Sequence, residues 1–92
     1  MEQQLKAIGD KARLRILKLL PLTDEDCEAL FNVTELSEEL GIPQPTVSHH
    51  LNVLRNAGLV RNRKMCRDVY YWIDREAVDN LTSQLEQIFY KK

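Results

Sequence analysis

The sequence predicts a mainly α chain with one small β-hairpin, on three observations. Apolar residues recur at helical spacing near both ends and through residues 34–57. Two glycines, Gly41 and Gly58, stand just past periodic runs. Residues Asp68–Ile73 read DVYYWI, rich in the β-branched and aromatic side chains that suit a strand. At 92 residues the chain makes a single domain, 1–92, with a modest core.

The elements follow in order. Leu5 and Ile8 belong to an N-terminal helix over residues 1–8 and, with Ala12, lead into a second helix, Lys11–Leu20. There Leu14, Leu17 and Leu20, with Ile16, are expected core positions before Pro21 ends the run. The stretch PLTDEDCEALFN is an acidic connection in which Thr23 or Asp24 is expected to cap a short helix through Leu30. Thr34–Leu40 forms the next helix, with Leu36 and Leu40 four apart and a capping signal in Thr34 and Ser37; Gly41 then takes the left-handed conformation of a C-cap. Ile42-Pro43 holds the chain out of helix until Gln44, and a further helix runs from Pro45, a favoured first-turn residue, to Ala57. Leu59–Arg63 and Asp68–Ile73 are strands joined by Lys64–Arg67, and Asp74 caps a last helix from Arg75 to Tyr90. Helix, tight turn and helix over residues 34–58, followed by a hairpin over 59–74, is the order of a winged helix-turn-helix.

The helix from Pro45 has two unlike faces. Val47, Leu51, Leu54 and Gly58 share one narrow stripe, while Pro45, Ser48, His49, Asn52 and Asn56 lie opposite. That outer face is polar but nearly uncharged. An ordinary solvated helix carries Glu and Lys there, whereas short hydrogen-bonding side chains are what base edges in a major groove require. The hairpin adds Arg61, Arg63, Lys64 and Arg67, cations suited to a phosphate backbone, although charge also protects exposed strand edges.

Net charge hides this pattern. Thirteen basic against fourteen acidic residues give −1 and a pI near 6.1, which argues against a general polyanion binder. By region, residues 1–43 hold five Lys/Arg and nine Asp/Glu (5 − 9 = −4), residues 44–75 hold six and two (6 − 2 = +4), and residues 76–92 hold two and three (2 − 3 = −1). Positive charge is concentrated on the reading half, so specificity is expected from shape and base contacts.

The ends point to pairing. Leu5 and Ile8 on the first helix, with Leu81, Leu85, Ile88 and Phe89 (and Val78) on one broad face of the last, are expected at a twofold dimer interface; folding back on the same domain is the competing explanation. A dimer also suits two DNA half-sites. No repeat, low-complexity tract, signal peptide or membrane-length apolar run is seen, so a cytoplasmic protein without membrane association is expected.

Residues 7–74 resemble a bacterial or archaeal ArsR/SmtB-type winged-helix repressor. IGDKARLRILKLL is similar to the family's second helix, TVSHHLNVLRNAGLV to its recognition helix, and RDVYYWID to its second wing strand. The resemblance implies a homodimer on a double-stranded DNA operator near its own promoter. By position it implies base or phosphate contacts from Gln44, Thr46, Ser48, His49 and His50, secondary contacts from Asn52 and Arg55, and wing-to-backbone contacts from Arg63, Lys64 and Arg67. The chain departs from the family at its switch. NVTELSEEL lacks the CxC thiolate pair, and residues 75–92 contain no histidine for the C-terminal zinc site, so no metal and no cofactor is expected. The wing also lacks a tip glycine, with Met65-Cys66 in its place.

Cys27, among acidic neighbours, is expected to be a sluggish thiol, while Cys66, beside Lys64 and Arg67, is the better candidate for redox or metal sensing. His49 and His50 diverge by roughly 100 degrees on a helix and cannot share an ion. His49 points outward toward DNA, and His50 sits nearer the core edge. Tyr70, Tyr71 and Trp72 are expected in hairpin and core packing rather than base stacking, with one tyrosine in reach of a phosphate. No catalytic constellation or phosphate-cradling glycine loop is present, so the chain is expected not to be an enzyme; the alternative to a DNA reader is a winged-helix protein-interaction module.

Overall fold

A computed structural model describes residues 1–22 and 30–90. The expected Thr23 or Asp24 cap, its short helix and Cys27 fall outside the described residues. The described residues form five helices and one hairpin: α1 Glu2–Ile8, α2 Lys11–Leu19, α3 Val33–Leu40, α4 Gln44–Asn56, β1 Val60–Met65, β2 Asp68–Ile73 and α5 Arg75–Tyr90. This is the mainly α, winged helix-turn-helix architecture expected from the sequence.

The helix ends have local causes. Asp10 caps α2, accepting from the backbone N–H groups of Ala12 at 2.8 Å and Arg13 at 3.1 Å. The Arg13 N–H does most to hold the Asp10 carboxyl below its usual range; desolvation opposes it next, and the Arg13 guanidinium charge and the Ala12 N–H add to the lowering. The cap of α3 is not Thr34. Asn32 accepts from the Glu35 N–H at 2.8 Å, and the Glu35 carboxylate accepts from the Asn32 N–H at 3.0 Å, a reciprocal capping box that starts the helix at Val33. Asp74 accepts from the Ala77 N–H at 3.1 Å at the start of α5, as expected.

Gly41, at φ 66, closes α3 with its N–H on the Ser37 carbonyl at 2.9 Å, while Ser37 Oγ donates to the Ile42 carbonyl at 2.6 Å. Gly58, at φ 78, closes α4 with two bonds, Gly58 N–H to Arg55 O at 2.9 Å and Leu59 N–H to Leu54 O at 3.0 Å, which is a Schellman motif.

The core gathers Ala7, Ile16, Leu20, Leu36, Val47, Leu51, Leu54, Leu59, Val60, Tyr71 and Leu81 from every element. Val47, Leu51 and Leu54 are 0% exposed, so the apolar stripe read from the sequence is the buried face of α4. Two expectations are corrected. Leu14, taken as core, is 43% exposed, because it faces a groove beside α5 rather than the interior. Leu81, assigned to the dimer face, is only 4% exposed within its own chain, since it is the α5 residue that plugs into the common core.

The hairpin also differs in its joint. β1 and β2 pair antiparallel from Val60 opposite Ile73 to Met65 opposite Asp68, leaving Cys66-Arg67 as a two-residue turn in place of the four-residue link Lys64–Arg67. Cys66 supplies the missing glycine's role by taking φ 58 itself. The base of the hairpin is stitched to the body by Tyr71 N–H to Phe31 O at 3.0 Å, Ile73 N–H to Pro21 O at 2.8 Å and Asp74 N–H to Leu59 O at 2.9 Å.

Candidate nucleic-acid interface

The helix-turn-helix seats α4 by its three buried residues and leaves Gln44, Pro45, Thr46, His49, Asn52, Arg55 and Asn56 exposed. Burying three such side chains contributes roughly 1.5–3 kcal/mol each, enough to fix one rotational setting of α4 and therefore of its outer face. That outer face holds one cation, Arg55, and no carboxylate among its exposed residues. Ser48 is half-buried rather than outward, and His50 is half-buried against α2. The two imidazole rings lie 5.6 Å apart and tilted by 53°, so they present different faces.

The wing cations divide. Strand alternation puts Arg61 and Arg63 on one face with Tyr70 and Trp72, and Lys64 on the other with Val69, while Arg67 stands in the turn. Arg63 Cζ lies 5.8 Å from the centre of the Trp72 ring, a cation–π contact, and its Nη2 lies 3.6 Å from Met65 Sδ. Of the three aromatics Tyr71 is buried and the other two are half-buried, in keeping with a packing role. Cys66 is a free, exposed thiol.

Sequence reasoning passed over the groups that hold this face in place. Arg13 of α2 reaches His50, and Gln3 Nε2 of α1 donates to the Asn56 carbonyl at 3.2 Å. Arg15 Nη2 donates to the Leu40 carbonyl at 3.1 Å and so tends the C-terminal end of α3. One signal for Arg13 was available: it falls on the stripe of Ile16 and Leu20, where helical spacing calls for an apolar residue.

A model of bacterial regulatory proteins of the arsR family matches residues 10–62, more than half of the chain. The chain belongs to the ArsR family. The matched span runs from the cap of α2 into β1, so it contains the α4 residues from Gln44 to Arg55 but stops short of Arg63, Lys64 and Arg67. The ArsR chain is 40% identical over 83 residues, 90% of its own length and 88% of the relative's, to an uncharacterized HTH-type transcriptional regulator of Methanocaldococcus jannaschii. It is 33% identical over 85 residues, 92% of its length and 69% of the relative's, to a biofilm growth-associated repressor of Xylella fastidiosa. Among solved structures it resembles the homodimeric winged helix-turn-helix DNA-binding domain of a possible ArsR-family regulator from Mycobacterium bovis. That likeness has a TM-score of 0.72 at 28% identity and covers 95% of this chain and 75% of that one.

A second surface is apolar. Ile8, Leu14, Leu17, Val78, Leu81 and Leu85 line a groove of about 300 Å³ between the N-terminal helices and α5. Beside it Leu5 is exposed, and along the end of α5 Ile88, Phe89 and Tyr90 are 59%, 70% and 77% exposed. No helix among the described residues is long and apolar enough to cross a membrane.

Proposed function

We propose that this ArsR-family chain is a homodimeric, sequence-specific reader of double-stranded DNA that represses transcription from its operator. The observation that carries the reading is α4: three residues wholly buried on one side, and an exposed, nearly uncharged hydrogen-bonding face on the other. Gln44, Thr46, Ser48 and His49 meet base edges or phosphates, with His50, Asn52 and Arg55 around them, and Arg63, Lys64 and Arg67 hold the wing to the backbone. The exposed apolar side chains of α1 and α5 are supported as the twofold interface by the homodimeric relative and by the uncovered groove. Leu5, Ile8, Leu85, Ile88 and Phe89 serve it, and Leu81 backs it from the core. The chemistry is recognition without catalysis, in the cytoplasm, with no cofactor required; Cys66 is the exposed thiol through which a redox signal would reach the wing.

Fluorescence anisotropy of the reduced protein against DNA upstream of its own gene, and against a scrambled duplex of equal length, tests this across a salt series. The expected result is tight binding to the upstream duplex that weakens steeply with salt, with a slope that falls by about one unit in Lys64→Ala. Indifference to all DNA at every salt concentration defeats the proposal and leaves the protein-interaction module.

A further inference from the structure

Arg13 lies half-buried on the core-facing stripe of α2, and its guanidinium finds partners within the protein. Its Nε donates to the Ala7 carbonyl, its Nη2 to the Lys6 carbonyl at 3.5 Å, and its Nη1 lies 3.2 Å from His50 Nδ1. The two carbonyls belong to the last turn of α1, where carbonyls lack intrahelical partners and the helix dipole favours a cation. His50 belongs to α4. Since a guanidinium accepts nothing, Nδ1 is the acceptor and the imidazole proton sits on Nε2. Gln3, at the other end of α1, donates to the Asn56 carbonyl at the end of α4. α1 is thus tied to α4 at two points, directly through Gln3 and by way of Arg13; these lie about one turn apart on α1 and six residues apart on α4.

We infer that Arg13 is a positioning residue for the DNA-reading helix: it joins the last turn of α1 to His50 and fixes the rotation of α4 against α1. By occupying Nδ1 it also leaves His50 only its Nε2–H, a donor suited to a phosphate oxygen and unable to accept from a base. The inference rests on α4 being the reading helix. It makes α1, an element of the proposed dimer interface, the neighbour that sets the reading angle.

The test joins a spectrum to a mutant cycle. Long-range proton–nitrogen correlation spectra, recorded where histidines are neutral, are expected to show His50 as the Nε2–H tautomer, shifting toward a mixture in Arg13→Lys. A wild-type His50 in the Nδ1–H form overturns the contact. For affinity, the probe is a duplex that the wild-type protein enriches from a random-sequence library. Arg13→Lys keeps the charge but loses the planar fork, so affinity for this duplex is expected to fall about tenfold with an unchanged salt slope. His50→Gln, whose Oε1 can accept from Arg13, is expected to retain most of the affinity that His50→Ala loses. In the His50→Ala background Arg13→Lys is expected to have little further effect. Additive losses, or equal losses in His50→Gln and His50→Ala, overturn the positioning role, and the His50 pair decides the matter even where Arg13→Lys folds poorly. Failure of the wild-type protein to enrich any duplex is a separate outcome, which refutes DNA reading itself.

Discussion

α4 and α5 are both amphipathic, but they spend their apolar faces differently. α4 sinks Val47, Leu51 and Leu54 wholly into its own chain, so what it shows is polar. α5 sinks only Leu81, half-covers Val78 and Leu85, and leaves Ile88, Phe89 and Tyr90 in water. The difference separates a helix whose apolar face is fully covered within its own chain from one whose apolar end is left uncovered there, as the proposed twofold interface requires.

The strongest way to break this comparison is to place charge where α5 is left uncovered. Ile88→Asp with Phe89→Asp is expected to leave the monomer folded, because neither side chain belongs to the core, and to convert a sedimenting dimer into a monomer. Operator affinity should then fall by about a hundredfold, as the second half-site is no longer held nearby. A double variant that stays dimeric moves the interface elsewhere. On the α4 side, His49→Ala is expected to lower the ratio of operator to random affinity by about tenfold, read by competition anisotropy. Equal loss on both DNAs reduces His49 to a phosphate contact.

Two smaller effects sharpen the picture at the margins of the reading region. In Cys66→Gly the strain of a left-handed cysteine is removed at the wing turn, and urea unfolding is expected to show a gain of about 0.5–1 kcal/mol. No gain would mean that the turn relaxes in solution. Asp10, whose folded pKa is depressed, contributes stability that is fully present above its usual value of 3.8 and is lost as pH falls through the lower folded value. Asp10→Asn keeps an acceptor at the cap, so its acid unfolding curve should be flatter in that window than the wild type's. Superimposable curves would exclude Asp10 as a source of acid sensitivity.

Much of the fold was legible because the local signals agree with one another. β2 was readable to its ends in DVYYWI, the stripe of α4 is the buried stripe, and Asp74 caps α5 as its position suggests. The misreadings share a physical cause, which is that periodicity tells which residues share a face but not what that face meets. Leu14 and Leu81 are both apolar at helical spacing and both line the groove, and only the placement of α5 decides that Leu14 stays exposed there while Leu81 is buried in the core. The α3 cap was visible in the Asn32 and Glu35 pair, three residues apart, but a start at Thr34 drew the boundary past it. In the candidate interface the periodicity of α4 picked out Pro45, His49, Asn52 and Asn56, which are exposed, and Ser48, which is half-buried, whereas Gln44, Thr46 and Arg55 entered through the family resemblance. The side-chain tie between Arg13 and His50 was not legible, because it joins residues 37 positions apart across three helices.

Gly58 carries one further consequence. Between the last residue of α4 and the first of β1 there are only Ala57, Gly58 and Leu59. Their backbone is bonded back to Arg55 and Leu54 on one side and tied through Leu59 to Asp74 on the other. Such a joint has no slack. Helix and wing therefore behave as the two arms of a set caliper rather than as two fingers that close separately. If α4 and the wing read DNA as proposed, a duplex whose groove is too wide or too narrow for that fixed opening is expected to be refused as a whole, whatever bases it displays.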